Sequence, residues 1–215
     1  MPPTFTRVAV LVLATLALAG CASFPDTPAL PVTQERFWSA LESHCGNAYA
    51  GELASGDARD ADWQGQAMIA HWADCEPDRI SIALHVEDDD APGGWNRSRT
   101  WVVTRTGEGL RLKHDHRQED GSEDDVTQYG GDTLSAGTAR IQDFPVDAFS
   151  IALFEREGLD VSTTNVWRME VDRADDARPR FAYQLTRRND PTRLFRLEFD
   201  AGDPVPPPPP AWGHE

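Results

Sequence analysis

The densest chemistry in this sequence is a pair of histidines two residues apart. The segment Leu110-Arg-Leu-Lys-His-Asp-His116 alternates with a period of two. In a strand, Leu110, Leu112, His114 and His116 share one face, and Arg111, Lys113, Asp115 and Arg117 share the other. The leucines make the first face apolar, so both imidazoles are expected to point inward. Side chains two apart in a strand stand about 6.5 Å apart along the chain, within reach of one metal ion or one polar ligand. A zinc site needs a third ligand, and none can be placed. A hydrogen-bonded interior network with Tyr129, Asp132 or Thr133 would use the same residues without any ligand. The candidate ligand-binding set is therefore His114, His116, Tyr129 and Asp132. His114 and His116 are the candidate metal pair, and a divalent metal is the one cofactor the residues suggest. His85 lies opposite an apolar face and is expected to point outward, while His71 is ambiguous.

Other local patterns carry less. Glu119-Asp-Gly-Ser-Glu-Asp-Asp125 is acidic enough to suggest calcium, but His116 and Gln118 stand where an EF-hand loop has Asp-type ligands and Thr127 where it has Glu. A hairpin turn at Asp120-Gly121 explains it better. Glu87 to Asp90 followed by Ala-Pro-Gly-Gly reads as an exposed loop. The chain has no GxSxG elbow, HExxH helix or P-loop, and Gly107-Glu108-Gly109 fails the dinucleotide fingerprint because Leu112 takes the third glycine position. No catalytic set emerges, and whether the protein is an enzyme stays open.

Composition bounds the partners. The 215 residues include 36 Asp+Glu against 20 Lys+Arg, a formal charge of −16. Such an anion repels phosphate backbones, which disfavours nucleic acid as the main partner. Hydrophobic residues make up 40%, enough for one globular core and too many for a disordered chain.

The first residues give an address. Arg7 is followed by Val8 to Ala19, apolar apart from Thr15, a run too short to span a bilayer comfortably. It ends in Leu18-Ala19-Gly20-Cys21, which resembles the lipobox of bacterial lipoproteins. That resemblance implies a signal peptide over 1–20, cleavage before Cys21, and acylation of Cys21. Ala rather than Asp at residue 22 implies sorting to the outer membrane, with the domain facing the periplasm or the cell surface. An acidic domain is repelled by anionic lipid, so the acyl chains must do the holding. In that oxidising compartment the remaining cysteines, Cys45 and Cys75, are expected to form a disulfide worth about 3 kcal/mol. A buried free pair and a catalytic thiol are the alternatives.

The mature chain divides into a lipidated tether (21–32), one domain (33–202) and a Pro-rich tail (203–215). Thr33 is a candidate cap for one amphipathic helix over Gln34 to Cys45, with Phe37, Leu41 and Cys45 on one face. Period-two alternation then dominates. It is clearest at Ile80–Val86, Trp167–Val171, Phe181–Leu185 and Phe195–Phe199. Further strand candidates are Gly51–Leu53, Gln66–Asp74, Arg99–Thr106, Leu110–Gln118, Val126–Tyr129, Thr138–Asp143 and Ser150–Glu155. About ten short antiparallel strands at this spacing predict an all-β domain with one N-terminal helix, a barrel in preference to a β-sandwich. One helix followed by consecutive hairpins is similar to the lipocalin plan, and Gly46-Asn-Ala-Tyr-Ala-Gly51 resembles its first strand. The likeness implies a cavity open at one end for a small ligand. Pro206 to Pro210 is expected to be extended and apart from the core. Trp212 beyond it either packs back or anchors a partner.

A second resemblance covers more of the chain. Gly109–His116, Glu119–Asp124, Val126–Thr133, Phe144–Asp147 and Ser162–Trp167 look like an uncharacterised family of secreted bacterial proteins, which implies no mechanism. The sequence thus reads as a lipid-anchored cell-envelope protein binding a small ligand inside a β-barrel. The alternatives are a non-enzymatic interaction protein, acting on an envelope partner through its acidic surface or Pro-rich tail, and a metal-dependent hydrolase built on His114 and His116.

Overall fold

A computed structural model describes residues 29–214. The expected signal peptide over 1–20, Cys21 and most of the expected tether lie outside the described residues. Ten strands follow in chain order: β1 (Ala48–Leu53), β2 (Met68–Cys75), β3 (Arg79–Glu87), β4 (Trp95–Thr106), β5 (Gly109–His116), β6 (Tyr129–Asp132), β7 (Ile141–Pro145), β8 (Asn165–Val171), β9 (Arg180–Arg187) and β10 (Asp190–Val205). Each pairs antiparallel with its neighbour in sequence, from β1 to β6 and from β7 to β10, and β1 also pairs with β10. The product is an up-and-down barrel, nearly closed. Closure removes the exposed edges that an open sheet would leave.

One seam remains, between β6 and β7. It is pinched by a bridge from Gly131 to Val146 and by Asp147 N–H donating to the Gly130 carbonyl at 3.0 Å. Glycine is required there, because a Cβ on Gly130 or Gly131 would overlap the carbonyl of Leu112 or Pro145. The apolar halves of the alternating strands fill the interior. Ile80, Ile82, Leu84, Trp101, Leu112, Trp167, Phe181, Leu197 and Phe199 are all buried, as period-two burial against one face requires.

α1 spans Val32–Glu42 and turns Gln34, Phe37, Trp38, Ala40 and Leu41 inward. It closes one end of the barrel. Gln34 Nε2 donates to Thr133 Oγ1 at 2.9 Å, Ser43 Oγ accepts from Ala174 N–H, and Arg105 at the end of β4 lies over the Trp38 ring. Thr33 is not the cap; its hydroxyl donates to the Ala136 carbonyl at 2.7 Å, and Pro31 holds the cap position. The helix also stops short of Cys45. The Cys45–Cys75 disulfide is present and ties the chain after α1 to the end of β2.

Two further expectations are corrected. Ser150–Glu155 is not a strand but part of a second helix, α2 (Ala148–Arg156). Asp147 caps it by accepting from Ser150 N–H at 2.8 Å, and Ser150, Leu153 and Phe154 bury a helical stripe. A six-residue apolar window fits either period, so the cap was the deciding signal. The Pro-rich tail is not detached either. Past β10 it lies as a strap along the outer face of β3 to β5. Proline offers no N–H to a sheet, so side chains secure its carbonyls: His85 Nε2 lies 2.8 Å from the Pro209 carbonyl and Arg97 Nη1 donates to that of Pro210 at 2.7 Å. Trp212 N–H donates to the Arg97 carbonyl, its indole is buried, and His214 reaches Asp115 at 3.0 Å. His85 does point out of the barrel as expected, but the strap buries it completely. No helix among the described residues is long and apolar enough to cross a membrane.

Candidate functional site

In an up-and-down barrel, the loops that follow odd-numbered strands gather at one end. Here that end is opposite α1, and it opens into a pocket of about 300 Å³. Its walls are aromatic: Trp101, Tyr129, Trp167, Tyr183 and Phe195 project from the strands, with Trp63 from the loop between β1 and β2 and Phe154 from α2. This combination of apolar walls and a few fixed polar groups is what small-molecule sites show.

His114 and His116 both project into this region from β5, as alternation required. His114 is buried and stacked on Tyr129 at 4.5 Å between ring centres. Its Nδ1 lies 3.1 Å from the Tyr129 carbonyl, an acceptor only, so Nδ1 carries the proton. Nε2 then accepts from the Tyr183 hydroxyl at 2.7 Å. Burial is the main reason its pKa is depressed to about 3, with the neighbouring His116 adding to it. His116 is depressed to about 4 by burial and by the Arg99 guanidinium. Both rings are therefore neutral at pH 7. Tyr129 Oη bonds His116 Nε2 at 3.2 Å, and burial pushes that phenol up to about 12.

Of the expected set, His114, His116 and Tyr129 thus come together. Asp132 does not. It lies on the outer face of β6 and accepts two bonds from Arg111, the nearer at 2.7 Å. Thr133 belongs to the opposite end, beside α1. The donor set for a metal is thin: both His114 nitrogens already have partners, and no group of three or more His, Cys, Asp or Glu gathers to hold an ion among the described residues.

The arginines of the mouth were not singled out by the sequence. Arg193 of β10 forms a buried two-bond pair with Asp60, at 2.6 and 2.8 Å, which fastens the loop between β1 and β2 over the opening. That loop carries Trp63, whose ring packs edge-on against Phe195 and lies 5.2 Å from the Arg99 guanidinium. Arg187 of β9 donates to Asn165 Oδ1 at 3.1 Å. Arg99 lies in the regular register that runs from Leu84–Arg99 to Ile82–Trp101, and a bulge stands just before it. Leu84 pairs with Arg99 and Val86 with Asn96, so two residues of β4 oppose His85 alone. The extra residue turns Arg97 toward the strap and brings Asn96 back to the side of Arg99. Parity with Trp101 was the one sequence signal for Arg99.

No protein-family profile, curated protein or solved structure matches this chain.

Proposed function

We propose that this chain is a lipid-anchored cell-envelope protein that binds a small organic molecule in the mouth of its barrel. The observation that carries the reading is the pocket of about 300 Å³ at the end away from α1. Its volume sits at the lower end of the roughly 300–1,000 Å³ range of ligand sites. Its polar groups are held in place before any ligand arrives: Tyr183 and the Tyr129 backbone fix the His114 ring, and Asp60 fixes Arg193. Preorganised groups of this kind lower the cost of binding. Neutral imidazoles suit hydrogen bonding to a guest. The resemblance of Leu18-Ala19-Gly20-Cys21 to a lipobox supports an anchor at Cys21, and the disulfide accords with an oxidising compartment. The docked strap weighs against a role as a free proline ligand, since its carbonyls and Trp212 are already engaged.

The test is native mass spectrometry on the chain from Ala22 onward, which carries every described element, exported and purified without detergent. The expected result is a fraction of molecules carrying one organic ligand, lost when Leu185 on the pocket wall is replaced by Trp. A uniformly empty protein that also binds no apolar dye would contradict the reading. For the anchor, Cys21→Ala is expected to remove the lipid and release the protein from the membrane fraction; unchanged retention would contradict that part.

A further inference from the structure

The chain is strongly acidic, and many of its arginines are held by that acid. Arg59, Arg111, Arg140, Arg168, Arg193 and Arg196 each lie within ion-pair distance of a carboxylate. Arg99 and Arg187 do not, among the described residues, and both line the mouth pocket. They stand on β4 and β9, five strands apart in a ring of ten, and so on opposite walls.

Arg99 is the better placed. Its Nη1 donates to Asn96 Oδ1 at 3.2 Å and to Ser98 Oγ at 3.1 Å. Nε and Nη2 meet no acceptor among the described residues. That is one of the edges with which a guanidinium grips a planar anion in two parallel bonds. Trp63 covers the group. Burial disfavours its charged form, yet a guanidinium keeps its proton in proteins, so the cation is partly desolvated without a direct ion-pair partner among the described residues.

Among the described residues no carboxylate of the pocket lies within ion-pair distance of Arg99, although the charge of Asp124 favours the cation from further off. Asp60 is taken by Arg193. Asp124 accepts from Val126 N–H at 2.8 Å and from Gln118 Nε2 at 2.7 Å. His114 and His116 are neutral. A second cleft, of about 560 Å³, shares Trp63 and Arg99 with the pocket and is rimmed by Asp62 and Glu87–Asp90. This acidic rim repels free inorganic anions, so a head group must be brought in by an apolar body.

The geometry points to an amphiphilic organic anion as the ligand class. Its carboxylate, sulfonate or phosphate-ester head meets Nε and Nη2 of Arg99, and its aromatic or apolar body lies among Trp101, Trp167, Tyr183 and Phe195. This deepens the small-ligand reading above and rests on it. When Tyr129 donates to His116 Nε2, the His116 proton sits on Nδ1 and becomes a further donor at the pocket wall.

A matched pair of dyes tests it. N-phenyl-1-naphthylamine is neutral, and 8-anilinonaphthalene-1-sulfonate is the same body with a sulfonate. Both are titrated against the chain from Ala22 onward by fluorescence. The wild type is expected to prefer the sulfonate. Arg99→Gln should weaken the sulfonate about tenfold or more, the worth of a charge-assisted bond pair, and leave the neutral dye unchanged. Arg99→Lys keeps charge but loses the fork, and should retain part of the preference. Arg111→Gln removes the same charge from the outer face and should change nothing. If the wild type binds both dyes equally, or if Arg99→Gln weakens both alike, the anion assignment is overturned while the pocket reading stands. If neither dye binds the wild type, the pocket reading itself fails.

Discussion

Replacing His114 with glutamine is expected to flatten the acid side of the stability profile. In the folded protein the imidazole is buried, neutral and bonded at both nitrogens. Its pKa lies at about 3, against 6.5 for the free side chain. The unfolded chain therefore takes up the proton first as pH falls. Stability from the neutral ring is complete above pH 6.5 and is lost progressively down to about pH 3. Between pH 7 and pH 5 the unfolded side chain goes from about a quarter protonated to almost fully protonated, while the folded one stays neutral; integrating that difference gives about 2 kcal/mol. Glutamine fits the same slot, with an amide N–H for the Tyr129 carbonyl and an amide oxygen for the Tyr183 hydroxyl, and it does not titrate. Urea unfolding of both proteins at pH 7 and pH 5 measures the effect. The wild type should lose about 2 kcal/mol more than His114→Gln over that interval, because the carboxylates and His116 contribute alike to both. An equal loss in the two proteins would refute the buried, neutral assignment of His114.

Three further outcomes follow from the fold. Cys45→Ala with Cys75→Ala should cost about 3–4 kcal/mol in urea unfolding, the chain-entropy value for a sequence separation of 30; no loss would mean that the bridge constrains little in the unfolded chain. Gly131→Ala should open the β6–β7 seam at a cost of about 1–3 kcal/mol, since its methyl would overlap the Pro145 carbonyl. Hydrogen exchange should then quicken at Gly130–Asp132 and Val146 before the rest of the barrel, and uniform exchange would contradict the seam. Trp212→Ala should cost about 3 kcal/mol or release the strap, seen as rapid proteolysis after Val205; an unchanged melting profile with a protected tail would contradict its docking.

Much of this barrel can be read from period two alone. Ile80, Ile82, Leu84 and Val86 name the inner face of β3, and Leu110, Leu112 and His114 name that of β5. Strand alternation is local, so it survives without tertiary knowledge. Other features do not. The α2 stripe of Ser150, Leu153 and Phe154 is too short to separate helix from strand, and only the cap at Asp147 distinguishes them. The strap is polar-poor and proline-rich, and nothing local says that His85, Arg97 and Asp115 wait for it across more than 90 residues of sequence. At the site, the inward aim of His114 and His116 followed from parity, and Tyr129 was one of three partners the residues offered. Asp132 failed because β6 turns it outward to Arg111, a pairing set by register between strands. Arg99 shares the parity of Trp101, whereas the bulge opposite His85 that sends Arg97 out to the strap has no signature in the chain. Asp60, Trp63 and Arg193 meet only when the β1–β2 loop folds over the opening.

The central claim is that the mouth of the barrel holds a ligand. The most direct measurement is a titration of N-phenyl-1-naphthylamine against the wild type and against Leu185→Trp, which places a larger ring on the pocket wall. Saturable one-to-one binding by the wild type is predicted, with binding lost in Leu185→Trp at an unchanged melting temperature. Equal binding by the two proteins would put the dye somewhere else, and the barrel mouth would no longer be the site.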